Sequence, residues 1–311
     1  MPEFNMYFAT LLGLGFLVFF GDLLVQGAAQ LSKLFKVSDV FIGVIVVGLG
    51  TSLPEILTAV IAAYEGKQGI ATGNVVGSNI ANILLILGTA LVLFGRKGLG
   101  FERAHMDYGY MLFATASLLF MALAWGVLGT LQGVALLVFL AFTLYKLLHQ
   151  GRQTFVEDLE DITPHSATSV LFAKTILALA GLWLGAAWLV QGASAIAVSF
   201  GLPQEVVGLS IVAVGTSLPE LAATIAAYRA SNGQMVLGNV IGSNIFNIFA
   251  ALGAAALVAP LAMAGLGVSL MVAALSAVAI LPLFLWAKLP VRWFGVLFLG
   301  GYVFYVIYIY A

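Results

Sequence analysis

Ten apolar runs divide the chain, near 6–28, 39–64, 69–94, 105–125, 128–148, 168–198, 204–228, 234–259, 262–286 and 290–310. Crossing the hydrocarbon core as a helix takes about 20 apolar residues, and these runs meet that length. None alternates polar and apolar positions as a barrel strand would. Polar turns between them are short. The longest polar stretch, HQGRQTFVEDLEDITPHSA at 149–167, sits at the middle of the chain. The pattern predicts an all-α polytopic membrane protein of ten transmembrane helices. The N-terminal MPEFNMYF lacks a positive region and a small-residue cleavage motif, so it reads as the start of the first span.

The midpoint matters because the chain repeats itself. GTSLPE stands at 50–55 and 215–220, GNVVGSNI at 73–80 returns as GNVIGSNI at 238–245, and LVQGA at 24–28 returns at 189–193. All three pairs are 165 residues apart. The chain thus divides into a first five-helix repeat at 1–148, a linker loop at 149–167 and a second five-helix repeat at 168–311. Five is odd, so the second repeat enters the membrane from the opposite side. Inverted repeats of this kind are a common plan for secondary transporters.

Composition narrows the class. Of 311 residues, 62% are apolar and 8% charged, which excludes a soluble enzyme, a nucleic-acid binder and a disordered chain. A net charge of −1 gives no field for a polyanionic partner. Without cysteine, disulfides, iron–sulfur clusters and thiolate metal sites are excluded. Charge placement also gives an orientation. Lys33, Lys36, Arg96, Lys97, Arg103, Lys146, Arg152, Lys174, Arg229, Lys288 and Arg292 fall on one side of a ten-helix count, and only Lys67 on the other. The positive-inside rule then predicts both termini outside and the central loop in the cytoplasm, with a prokaryotic inner membrane as the expected location.

Away from the ends of the apolar runs, three acidic residues remain: Asp22, Glu55 and Glu220. An ionisable group at membrane depth is a functional candidate. Glu55 and Glu220 are repeat equivalents, so the axis relating the halves brings them together near the midplane. Each follows a Gly-Thr-Ser-Leu-Pro run. Proline removes a helical hydrogen bond, and the preceding glycine permits local unwinding. Breaks are therefore expected in spans 2 and 7, with the carbonyls of Gly48, Leu49, Ala213 and Val214 freed as cation ligands. Thr51 and Ser52 precede Glu55 as Thr216 and Ser217 precede Glu220. The next span carries Asn74, Ser78 and Asn82 at intervals of four, repeated as Asn239, Ser243 and Asn247. Every donor offered is oxygen, which suits hard cations such as Ca²⁺ and Na⁺. Two carboxylates balance one Ca²⁺. Two or three Na⁺ would use the same oxygens but not beside Ca²⁺, and such mutual exclusion is what an antiporter needs.

GTSLPE followed by GN-V-V/I-GSNI, present twice, resembles the alpha repeats of the cation/Ca²⁺ exchanger superfamily, in particular its prokaryotic sodium/calcium exchangers. The resemblance covers nearly the whole chain. It implies two inverted five-helix repeats, with broken helices 2, 3, 7 and 8 around a midplane cation site. Carried over residue by residue, the ligands would be Thr51, Ser52, Glu55, Ser78 and Asn82, with Thr216, Ser217, Glu220, Ser243 and Asn247. Spans 1 and 6 would slide against that core. Some relatives have aspartate where Asn247 stands, so a proton-coupled or third-carboxylate site is disfavoured here.

The function expected is a Na⁺/Ca²⁺ antiporter that extrudes Ca²⁺, a transporter and not an enzyme. Its substrates are Ca²⁺ and Na⁺, with no permanent cofactor. The lipid bilayer is its surroundings, and a monomer suffices for transport. Alternatives are a Ca²⁺/H⁺ or K⁺-dependent exchanger on the same scaffold and, from another class, a non-transporting membrane scaffold or sensor. Asp22 has Ala187 at its repeat position and reads as structural. Gln26 and Gln191 read as interhelical contacts. The acidic run at 157–161 lacks the glycine and spacing of an EF-hand and reads as a solvated linker.

Overall fold

A computed structural model describes residues 5–153, 168–201, 215–286 and 288–310. In chain order its long helices are α1 (Met6–Phe35), α2 (Asp39–Tyr64), α3 (Gln68–Arg96), α4 (His105–Trp125), α5 (Thr130–His149), α6 (Thr168–Ile196), α7 (Leu218–Arg229), α8 (Gly233–Val258), α9 (Gly267–Leu285) and α10 (Val291–Ile309). All but α7 are long and apolar enough within the described residues to cross a membrane. Strand structure among the described residues is confined to a two-residue antiparallel bridge, Val127–Leu128 against Leu261–Ala262.

Local chemistry sets the helix ends. Ser38 caps α2 by accepting from the Phe41 amide, and Asn232 caps α8 by accepting from the Met235 amide. Lys36 ends α1 in the left-handed conformation. The interruptions expected in the central helices take the form of π turns at Gly43–Gly48 in α2, Asn82–Leu87 in α3 and Asn247–Leu252 in α8. The last two are repeat equivalents. A π turn widens the helix and shifts its hydrogen-bond pattern without exposing a coil to lipid. At 216–217 the backbone is a turn, and α7 starts beyond it with Pro219 in its first turn.

Helix contacts reveal the inversion. Thr10 of α1 lies against Gly192 of α6, and Gly27 of α1 lies against Thr175 of α6. Thr10 and Thr175 are repeat equivalents, as are Gly27 and Gly192, and the numbering runs in opposite senses, so equivalent helices pack antiparallel. Complementary shapes close the rest of that seam, with Phe16 over Gly185 and Phe20 over Gly181. By contrast, α2 and α8 run parallel, with Val40 beside Gly238 and Val44 beside Gly242. Because α3 doubles back from α2 through a short turn, α8 opposes its own equivalent α3. Asn79 donates to the carbonyl of Asn244 at 3.4 Å, so two equivalent residues meet at the pseudo-twofold axis.

These crossings place α3 and α8 at the centre. About four-fifths of their apolar windows is buried, 78% and 83%, against 17% for α10. Large apolar side chains on the periphery, including Leu11, Phe19, Leu123, Leu131, Leu297 and Phe304, stay exposed where lipid would cover them.

Candidate functional site

Both midplane carboxylates reach the centre on α2 and α7. Pro54 lies inside α2 directly before Glu55, while Pro219 opens α7 directly before Glu220. Each carboxylate residue keeps 1% of its surface exposed. The two are close enough to interact electrostatically. Neither takes part in an ion pair among the described residues, where the pairs are Lys67–Glu65 and Arg229–Asp22. Two buried negative charges without a cationic partner are strongly unfavourable unless a cation or proton joins them.

Hydroxyls and amides surround them. Ser52 of α2 reaches Glu220 Oε1 at 3.5 Å, a contact across the two repeats. Thr51 Oγ1 lies 2.9 Å from the Val47 carbonyl and 3.2 Å from Asn239 Oδ1. From α8, Ser243 Oγ lies 3.3 Å from the Gly48 carbonyl and 3.5 Å from the same Asn239 oxygen. Asn239 thus joins α8 to α2 through the Thr51 hydroxyl and holds Ser243 one turn along its own helix. Its equivalent Asn74 acts differently and donates to the Glu55 carbonyl at 3.2 Å.

Buried polar atoms without a partner concentrate here and come in equivalent pairs. Glu55 Oε2 and Glu220 Oε2 are one pair, and Asn82 Nδ2 and Asn247 Nδ2 are another. Asn247 Oδ1 and Asn239 Nδ2 add to the set. A buried polar group left unsatisfied costs about 1–3 kcal/mol, so such a cluster marks a place built for something else to bind. Among the described residues no three His, Cys, Asp or Glu side chains form a metal-type group. The donors are oxygens, and a hard cation is what they fit.

Contacts tie Thr51, Ser52, Glu55, Glu220 and Ser243 to one another through α2, α7 and α8; for the other residues singled out by sequence the structure gives burial. Thr51, Ser52, Glu55, Ser78, Asn82, Ser217, Glu220, Ser243 and Asn247 are all buried, and Thr216 is half-buried. The Gly48 carbonyl meets the Ser243 hydroxyl. Ala213 and Val214 lie outside the described residues, as does the acidic run at 157–161. Thr224 is a residue that the repeat comparison passes over. It is fully buried one helical turn beyond Glu220, with an unpartnered hydroxyl. Its i+4 spacing was legible, but alanine at the equivalent position 59 hid it. Asp22 pairs with Arg229 at 3.1 Å, and Gln26 accepts from Lys174 of α6 at 3.4 Å.

The family model described as sodium/calcium exchanger protein matches residues 6–148 and 170–311. The chain belongs to that family. The sodium/calcium exchanger MaX1 of Methanosarcina acetivorans is 33% identical to it, over 97% of each chain. The putative antiporter CaxA of Alkalimonas amylolytica is 34% identical, covering 81% of this chain and 80% of its own. A solved structure of the sodium-calcium exchanger NCX_Mj, soaked with 10 mM Na⁺ and 10 mM Sr²⁺, superposes with a TM-score of 0.81 at 32% identity, covering 97% of this chain and 98% of that one. This exchanger-family chain is therefore a prokaryotic-type member, with the all-α polytopic fold of its relatives.

Proposed function

We propose that this chain exchanges Na⁺ for Ca²⁺ across the membrane by alternating access and normally extrudes Ca²⁺. The observation that carries the reading is the pair of repeat-equivalent carboxylates, Glu55 and Glu220, buried together among hydroxyls and amides with partnerless oxygens. Ca²⁺ is held between the two carboxylates, which match its charge. Thr51, Ser52, Ser78, Asn82, Thr216, Ser217, Ser243 and Asn247 supply neutral oxygens, and the carbonyls of Gly48 and Ala213 complete the set. Na⁺ ions occupy the same oxygens when Ca²⁺ has left.

Obligatory exchange follows from electrostatics. Moving the site across the membrane without cargo would carry two uncompensated buried charges, which costs several kcal/mol per ion. The cycle therefore returns loaded. Close antiparallel packing of α1 on α6, with Phe16 seated over Gly185 and Phe20 over Gly181, supports their movement as one pair against the central helices.

Ca²⁺ flux into proteoliposomes tests the proposal. An outward Na⁺ gradient imposed on preloaded vesicles is expected to drive Ca²⁺ uptake, and a pH gradient alone is not. Uptake driven by pH and not by Na⁺ would assign proton coupling instead.

A further inference from the structure

An inverted repeat ties the energetics of transport to sequence symmetry. The pseudo-twofold axis exchanges the state open to one face with the state open to the other. Identical halves would make the two states equally stable. Any bias must come from residues that differ between the repeats.

Two such differences tie α1 to the end of α7 and to the turn beyond it. Asp22 Oδ2 of α1 lies 3.1 Å from Arg229 Nη2 at the end of α7. The equivalent positions are Ala187 and Tyr64, which cannot form an ion pair. Nearby, Asp39 accepts from Ser32 Oγ at 2.6 Å and from Asn232 Nδ2 at 2.9 Å. One carboxylate thereby joins the end of α1, the start of α2 and the turn between α7 and α8. Its counterpart positions hold Ala197, Gln204 and Lys67, none of them acidic. Lys67 instead pairs with its neighbour Glu65 at 2.7 Å.

Packing between α1 and α7 allows movement there. A methyl group added at Gly21 would lie 3.1 Å from the Ala222 carbonyl oxygen and 3.4 Å from the Ala226 side chain. The helices meet almost backbone to backbone, with an ion pair fastening the middle of α1 to the end of α7. The Asp22 and Arg229 side chains are 30% and 52% exposed, so the pair is not locked within the core. It is strong enough to shift a balance and weak enough to break in each cycle.

We propose that the Asp22–Arg229 ion pair, backed by the Asp39 bridge, is a one-sided latch. It holds shut the face at which α7 ends and biases access to the site toward the opposite face. The inference rests on the alternating-access reading above. In the orientation expected from the basic residues, the latched face is the cytoplasmic one.

Because the chain has no cysteine, single thiols report on this directly. Ala226, at the α1–α7 contact and 4% exposed, becomes the sole thiol as A226C. A membrane-impermeant maleimide is applied from the Arg229 face of reconstituted vesicles. D22N and R229Q are expected to raise the labelling rate about two- to fivefold, the range that a partly exposed ion pair supplies. The charge swap D22R/R229D is expected to bring it back toward the parent rate. A second thiol, A9C, sits buried near the other end of α1 and is probed from the opposite face. It is expected to label no faster in D22N or R229Q. Unchanged A226C labelling in both single variants overturns the latch. So does a parallel rise at A9C, which would mean a loosened fold. Flux in the parent is read separately, so a failure of Na⁺/Ca²⁺ exchange and a failure of the latch remain distinct results.

Discussion

Charge and hydrogen bonding at single residues determine what the centre of this molecule can hold. Glu55 and Glu220 are the only acidic side chains among the central donors, and each leaves one oxygen without a partner. E55Q and E220Q remove a charge while keeping shape, so each is expected to reduce Na⁺-driven Ca²⁺ flux to background with a normal thermal unfolding profile. Asn239 positions the hydroxyls of Thr51 and Ser243 without carrying charge. N239A is therefore expected to lower apparent Ca²⁺ affinity about tenfold, in line with losing hydrogen bonds in a charged site, while maximal flux survives. Isothermal titration with Ca²⁺ measures the first effect and vesicle flux the second. The carboxylates and the Thr-Ser pairs were legible as motifs because repetition doubled them. Asn239's role was not, since its equivalent Asn74 serves a backbone carbonyl instead. The difference depends on which helix each amide happens to face.

Helices position those residues through close packing at small side chains. Gly242 of α8 sits so near α2 that an added methyl would lie 2.5 Å from the Val44 carbonyl oxygen. G242V is expected to lower stability by about 1–3 kcal/mol or more, because backbone cannot yield as a flexible side chain can. Gly109 of α4 makes the contrast, since a methyl there meets nothing within 4 Å. G109A is expected to stabilise by about 0.5–1 kcal/mol through helix propensity alone. Thermal unfolding in detergent separates the two outcomes. Sequence pointed to interruptions at the Gly-Pro motifs of spans 2 and 7, yet α2 stays helical through Pro54 and carries a π turn just before its motif, while α3 and α8, which have no proline, carry π turns of their own. That placement is not local. At the end of the α2 π turn the Gly48 carbonyl meets the Ser243 hydroxyl, a contact that only the parallel crossing of α2 and α8 provides.

At the scale of the whole molecule, antiparallel packing of α1 on α6 fixes the relation between the halves. Orientation in the membrane is a separate matter and rests on the eleven basic residues on one side against Lys67 on the other. In intact cells, a lone thiol at Lys67→Cys is expected to react with an impermeant maleimide, and one at Gln153→Cys only after permeabilisation. The reverse pattern would invert the topology and place the latched face outside. The sequence by itself determined the number and nature of the helices, the duplication and the two central carboxylates. Hydrophobic length and charge at membrane depth are properties of a segment, and repetition needs only a comparison of the chain with itself. Tertiary structure alone decided which amide joins the hydroxyls, how the interrupted helices keep their backbone satisfied, and that Asp22 pairs with Arg229 while the matching positions hold Ala187 and Tyr64. Those outcomes depend on register between helices far apart in sequence, where the two halves no longer mirror each other.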